Sequence, residues 1–132
     1  MQDFQKFDVW KRAHELAVRV YNETQATSAR PFPGLNAQMR RAASSIPANI
    51  AEGCGHGSQR ELARFLQHAL ASAAELQYHI LLARDVDVLA SPAYARLDAR
   101  VIQVRQMLTA LLRRVREQAN PLPPRPRSAT KP

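Results

Sequence analysis

Four stretches with helical spacing of apolar residues predict an all-α chain folded as an antiparallel up-and-down four-helix bundle, kinked in its second helix at Pro47. Three observations carry this. The stretch from Ser58 to about Val86 repeats Leu62, Leu66, Ala69, Ala73, Leu76, Ile80 and Ala83 at steps of three and four, one face of a long helix. A helix of that length spans about 40 Å and is marginal alone, so it needs neighbours to cover its apolar side. Aromatic residues make up only 6% of the chain while alanine is abundant, and small side chains let helices approach closely. Short turn signals, rich in Gly, Pro and Ser, separate the periodic runs.

The first helix is expected from Asp8, as N-cap, to about Thr24. Val9, Ala13, Leu16, Ala17 and Val20 form its inner stripe, with Trp10 and Tyr21 on the flank. Phe4 and Phe7 are too apolar for a solvated lead-in and are expected against the bundle. Gln25–Gly34 is a connection, with Phe32 as a plug over one bundle end. The second helix runs from about Leu35 to Glu52 and buries Leu35, Met39, Ala42, Ile46 and Ile50. Pro47 lacks an N–H and crowds the Ala43 carbonyl, so a kink is expected there; a break is disfavoured because Ile46 and Ile50 stay in register. Gly53 is placed as the left-handed residue beyond the helix end, and Cys54–Gly57 as a tight turn.

Ser58 and Glu61 have the spacing of a capping box, in which hydroxyl and carboxylate each satisfy the other residue's backbone amide. The third helix then runs to about Asp85–Asp87. Ser91 and Pro92 read as N-cap and first position of the fourth helix, which reaches about Ala119. Tyr94, Leu97, Val101, Val104, Leu108, Leu111 and Val115 are its inner stripe, broadened by Ile102 and Leu112. The bundle domain is therefore 1–119, followed by a disordered, proline-rich tail over 120–132.

The formal charge is +8, and sixteen of the 19 basic residues are arginine. Arg125, Arg127 and Lys131 fall in the tail, which leaves +5 on the body. A positive field draws nucleic acid or an acidic protein. Arg12, Arg19, Arg40, Arg41, Arg100, Arg105, Arg113 and Arg114 are the candidate contacts, through arginine forks to phosphate or to a partner's carboxylates. No helix-turn-helix, zinc-finger or stacking-platform pattern accompanies them, so binding would be electrostatic and salt-sensitive. The competing reading is a structural or protein-interaction module with incidental charge. Apolar faces wider than a narrow seam on the two longest helices predict a homo-oligomer.

Catalytic chemistry finds little support. Cys54 and His56 could supply two metal ligands or a nucleophile with a base, but a structural zinc site takes four ligands and no second cysteine exists. The plain reading is an exposed pair in a turn. His68 and His79, eleven apart, give a weak phosphate-facing stripe. No glycine loop has phosphate-cradling context, since Gly53, Gly55 and Gly57 neither follow a strand nor precede a lysine. No enzyme, cofactor or metal site is expected. A lone cysteine excludes an intrachain disulfide, and no apolar run is long enough to span a bilayer, so the expected location is cytoplasmic, with no membrane partner. Arg41, Ser45, Asn49 and Glu52 form a polar stripe on the second helix. A half-buried stripe must be hydrogen-bonded, either as a structural network around Pro47 or as a subunit- or ligand-facing surface.

The run LNAQMRRAASSIPANIAEGCGHGSQRELARFLQHALASAAELQYHILLA, with the opening FQKFDVWKRAHELAVRVYNET, resembles the four-helix bundle family encoded in intervening sequences of bacterial 23S ribosomal RNA genes. Arg40-Arg41, Ile46-Pro47, Asn49 through Gly53 and the Ser58/Glu61/Phe65-Leu66 pattern carry the resemblance, which covers about residues 4–116. It implies an up-down bundle and a homopentameric ring, as in the related accessory proteins of diversity-generating retroelements, which are basic and associate with reverse transcriptase and nucleic acid. It implies no catalytic role for the stripe Arg41, Ser45, Asn49 and Glu52. Cys54-Gly55-His56 departs from the family's more usual polar turn, and the proline-rich tail lies outside the match.

Overall fold

The computed structural model describes residues 3–26 and 33–120; Phe32 and the tail from 121 onward, both subjects of sequence expectations, lie outside the described residues. Four α-helices make up the described chain: α1 (Asp8–Ala26), α2 (Pro33–Gly55), α3 (Gln59–Asp85) and α4 (Ser91–Ala119), preceded by a single 3-10 turn at Phe4–Lys6. Each helix packs against two neighbours. The pairs in contact are α1/α2, α2/α3, α3/α4 and α1/α4, and no diagonal pair brings Cα atoms within 8 Å. This is the up-and-down four-helix bundle that the spacing predicts.

The core is the set of stripes read from the sequence. Leu16, Val20, Met39, Ile46, Ile50, Leu66, Leu76, Ile80, Val101, Val104 and Leu108 are fully enclosed. Alanines at 13, 42, 43, 69, 73 and 83 are equally inaccessible and let the helices close on one another. Phe4 and Phe7 do lie against the bundle, and Phe4 meets Trp10 edge-to-face at 4.9 Å. On α4 the stripe turns slightly from expectation: Leu112 is buried, Leu111 and Tyr94 are half-buried, and Ile102 faces solvent at 40% exposure. Drift of a 3.6-residue helix against a strict seven-residue repeat produces such a shift over a helix of 29 residues.

Several boundaries differ from the sequence reading. Asp8 is inside α1 rather than its cap; the Phe7 carbonyl accepts from the Lys11 amide at 3.2 Å, and Asp8 places its charge in the first turn, where the helix dipole favours an anion. Helix α2 is continuous through Pro47 and extends past Glu52 to Gly55. Gly53 is therefore not the left-handed terminator. It is buried in α2 where α3 crosses, and a Cβ built on it would sit 2.9 Å from the Phe65 Cβ and 3.1 Å from Leu62 Cδ1. The left-handed residue is Gly57, at φ 76°. The cap of α3 is half of a box: the Ser58 hydroxyl accepts from the Glu61 amide at 3.1 Å, but the Glu61 carboxylate turns to Arg64 at 2.9 Å. Ser91 does not cap α4. Ala90 holds the N-cap position without a side-chain bond, and Pro92 lies in the first turn, where its missing N–H costs nothing.

Candidate functional site

The eight arginines singled out by sequence do not converge. Arg12 and Arg100 both approach Glu15, at 3.8 and 3.9 Å, joining α1 to α4. Arg40 is drawn inward: its Nε donates to Thr24 Oγ1 at 2.6 Å and its guanidinium lies 5.1 Å from the centre of the Tyr21 ring. Arg41 pairs with Glu75 on α3 and donates to Gln38 at 2.7 Å. Arg19, Arg113 and Arg114 are exposed and form no ion pair among the described residues.

A different grouping stands along the seam of α3 and α4. Arg116 donates from Nη2 to the Gln67 carboxamide oxygen at 2.8 Å. Three helical turns earlier, Arg105 donates to the Gln77 carboxamide oxygen, and the Gln77 amide donates in turn to Asp98 at 3.3 Å. Both arginines are thus aimed by neutral amides, which orient a guanidinium without cancelling its charge. Arg105 and Arg113 also line a depression of about 420 Å³ on the outer side of α4, with Ile102 and Thr109 and no carboxylate. Arg60 and Arg64 are exposed near the start of α3, and Arg64 lies 4.5 Å from the centre of the Phe65 ring. Arg60, Arg64 and Arg116 were not among the sequence candidates. Their i, i+4 spacing on α3, and the eleven-residue step from Arg105 to Arg116, were the available signals.

The polar stripe on α2 resolves into a network that ties α2 to α3. Ser45 Oγ and Ser72 Oγ lie 2.8 Å apart, and the Asn49 amide donates to Ser45 Oγ at 3.0 Å and to the Ser45 carbonyl at 2.8 Å. With Arg41–Glu75 this fixes the register of the two helices. Asn49 returns to Ser45, not to the Ala43 carbonyl, to which Pro47 has no N–H to donate. Glu52 is exposed and stands apart from the network.

Cys54 is buried at 2% exposure inside α2, which corrects the picture of an exposed pair with His56. Burial, and secondarily the charge of Asp3, push its thiol above the ordinary range and hold it protonated. His56 is exposed and stacks on Phe65 at 4.9 Å, with His68 against the same ring at 5.9 Å. His79, by contrast, is half-buried with Nδ1 enclosed and unpartnered, so His68 and His79 do not share a solvent-facing stripe. The hydrogen bond from Arg64 holds the Glu61 carboxyl below its usual value. Among the described residues no three His, Cys, Asp or Glu side chains gather as a metal would need.

The opposite side of the bundle carries an uncharged groove of about 490 Å³ between α1 and α2. Trp10, His14, Val18 and Tyr21 line it from α1, Ser44, Ala48 and Ala51 from α2, and Phe4 closes one end; no Asp, Glu, Lys or Arg contributes.

The match to a family model settles what kind of protein presents these two faces. The model described as 23S rRNA-intervening sequence protein matches residues 5–110. The chain belongs to that family. Among solved structures, a protein with unknown function from the S23 ribosomal protein family of Bacteroides thetaiotaomicron VPI-5482, a crystal structure at 1.70 Å, superposes with a TM-score of 0.74 at 23% identity. The match covers 79% of this chain and 97% of the other, and it shows the shared fold. Comparison with curated proteins finds no match. As a member of the 23S rRNA-intervening sequence proteins, the chain is a helical-bundle protein. Among its described residues no helix is long and apolar enough to cross a membrane.

Proposed function

We propose that the protein is a homo-oligomeric scaffold that binds RNA or DNA electrostatically through the outer side of α3 and α4. One observation carries the reading: Arg105 and Arg116 are each oriented by a glutamine of α3 rather than neutralised by a carboxylate. Their positions on α4 are about 16 Å apart along the helix axis, roughly five steps of a duplex strand. Arg113 stands between them and Arg60 begins the neighbouring edge, so a phosphate backbone laid along the seam meets one guanidinium after another. Side chains already held in place lose less freedom on binding. Nothing in the arrangement reads base edges, so affinity would follow charge and salt rather than sequence.

The test is titration of mixed single- and double-stranded RNA and DNA probes at low and high salt. Binding at low salt that weakens steeply as salt rises, and weakens further in R105Q/R113Q/R116Q, supports the proposal. No binding at low ionic strength overturns it.

The uncharged groove between α1 and α2 favours a second reading, a protein-interaction module that binds no nucleic acid itself, for example as an accessory subunit of a reverse transcriptase. Co-purification of a stoichiometric partner protein free of nucleic acid would favour that reading.

A further inference from the structure

We propose that the ligand of the arginine seam is single-stranded nucleic acid, whose unpaired bases stack on two exposed rings, His56 and Tyr78. The inference rests on the nucleic-acid reading above and names the form of nucleic acid held. The first ring is mounted on the core. His56 is exposed in the turn that follows α2, and its imidazole lies nearly parallel to Phe65, with 17° between the planes and 4.9 Å between the centres. Phe65 is itself buried at 8% exposure. The Arg64 guanidinium lies 4.5 Å from its centre, and His68 touches the same ring at 5.9 Å. The imidazole is thus backed by a buried ring while it faces solvent, as a stacking surface for a base must be. No spacing in the sequence shows this platform, because His56 meets Phe65 only once α3 has crossed the end of α2.

The second ring lies along the same helix. Arg60, Gln67 and Tyr78 recur at steps of seven and eleven, close to two and three whole turns, so they share one line on the outside of α3. All three are exposed, and Tyr78, at 58%, is the most open large apolar side chain among the described residues. Gln67 on this line aims Arg116, and Gln77, the residue before Tyr78, aims Arg105. Arg60 makes no ion pair among the described residues and begins the line, about 27 Å from Tyr78 along the axis. The arginines therefore run between the two rings. A single strand brings both a phosphate and an unpaired flat base at every step, and it matches both kinds of group. A duplex offers the arginines its phosphates but keeps its base faces stacked on one another. An acidic protein segment would satisfy the arginines and leave the rings bare. Every base has a π face, so stacking tolerates any sequence and fits a surface without base-edge readers.

The experiment titrates the full chain at low salt with a short single strand and with a fully abasic strand of the same length, which keeps every phosphate and loses every base. Wild type is expected to bind the base-bearing strand about tenfold more tightly or better. H56A/Y78A is expected to bring that ratio close to one. H56Y/Y78F keeps both rings, removes the imidazole charge and is expected to retain the ratio. R105Q/R113Q/R116Q is expected to weaken both strands by the same factor. Both ring positions are exposed, so the bundle should keep its helicity, which circular dichroism checks. A wild-type ratio near one, a ratio that survives H56A/Y78A, or one lost in a folded H56Y/Y78F would overturn this inference. The abasic strand would still bind in each case, and the electrostatic reading would stand. Failure of both strands to bind wild type at low salt would overturn the two together.

Discussion

The α1/α2 side and the α3/α4 side of this bundle are built by the same rule and finished differently. Both bury one stripe per helix against a shared core. The outer side of α1/α2 then ends in alanines, aromatics and a valine, with Arg40, Arg41 and Arg12 turned to Tyr21, Glu75 and Glu15. The outer side of α3/α4 ends in arginines aimed by glutamines. An arginine is therefore only as informative as its partner. A guanidinium facing a carboxylate is a surface ion pair contributing about 0–1 kcal/mol, whereas one facing a neutral amide keeps its charge for a ligand.

The comparison assumes one core under two faces, and the largest expected effect comes from breaking that core. Leu66 is fully enclosed, and Leu66→Ala should cost about 2–5 kcal/mol in denaturant unfolding, with both faces lost in one transition. The α2/α3 crossing joins the two sides. Gly53→Val there should cost about 1–3 kcal/mol, because any Cβ meets Phe65 and Leu62 inside van der Waals distance and one of the helices must shift. An unchanged melting temperature would show that the crossing is looser than described.

Ser72→Ala removes the partner of Ser45 and should cost about 1 kcal/mol, and a double-mutant cycle with Asn49→Ala should reveal coupling through the shared Ser45 hydroxyl. The mildest probe is chemical. The Cys54 thiol is raised above its ordinary value by burial, so the folded state holds the proton more tightly than the unfolded one. Its contribution to stability is complete below the unfolded thiol value and is lost as pH rises through the folded one. At neutral pH a disulfide-exchange reagent should label native protein slowly and denatured protein quickly. Fast labelling of the native chain would mean that the end of α2 opens.

The four helices were legible because periodicity is a local property: Leu62 through Ala83 announces its buried face without knowledge of the partner. The helix ends were less so. Gly53 lies two residues from Gly55 and four from Gly57, and glycine serves equally as a terminator or as a place of close approach. Only the distance to Phe65, twelve residues on, separates the two. Cys54 was misplaced into the turn by the same error. Which arginines stay free was illegible in principle, because Arg41 finds Glu75 and Arg116 finds Gln67 only after α2, α3 and α4 are packed. The stripe Ser45 and Asn49 was readable as a network, while Glu52, at matching spacing, proved to face water.

The contrast between the two sides is tested most directly by the salt dependence of nucleic-acid binding, measured on a short B-DNA duplex for wild type and for R105Q/R113Q/R116Q. Log K against log salt should fall steeply for wild type, and the variant's slope should be shallower by about 3, close to one unit for each phosphate contact removed. A wild-type protein that does not bind at low salt, or a variant with the wild-type slope, would contradict the account.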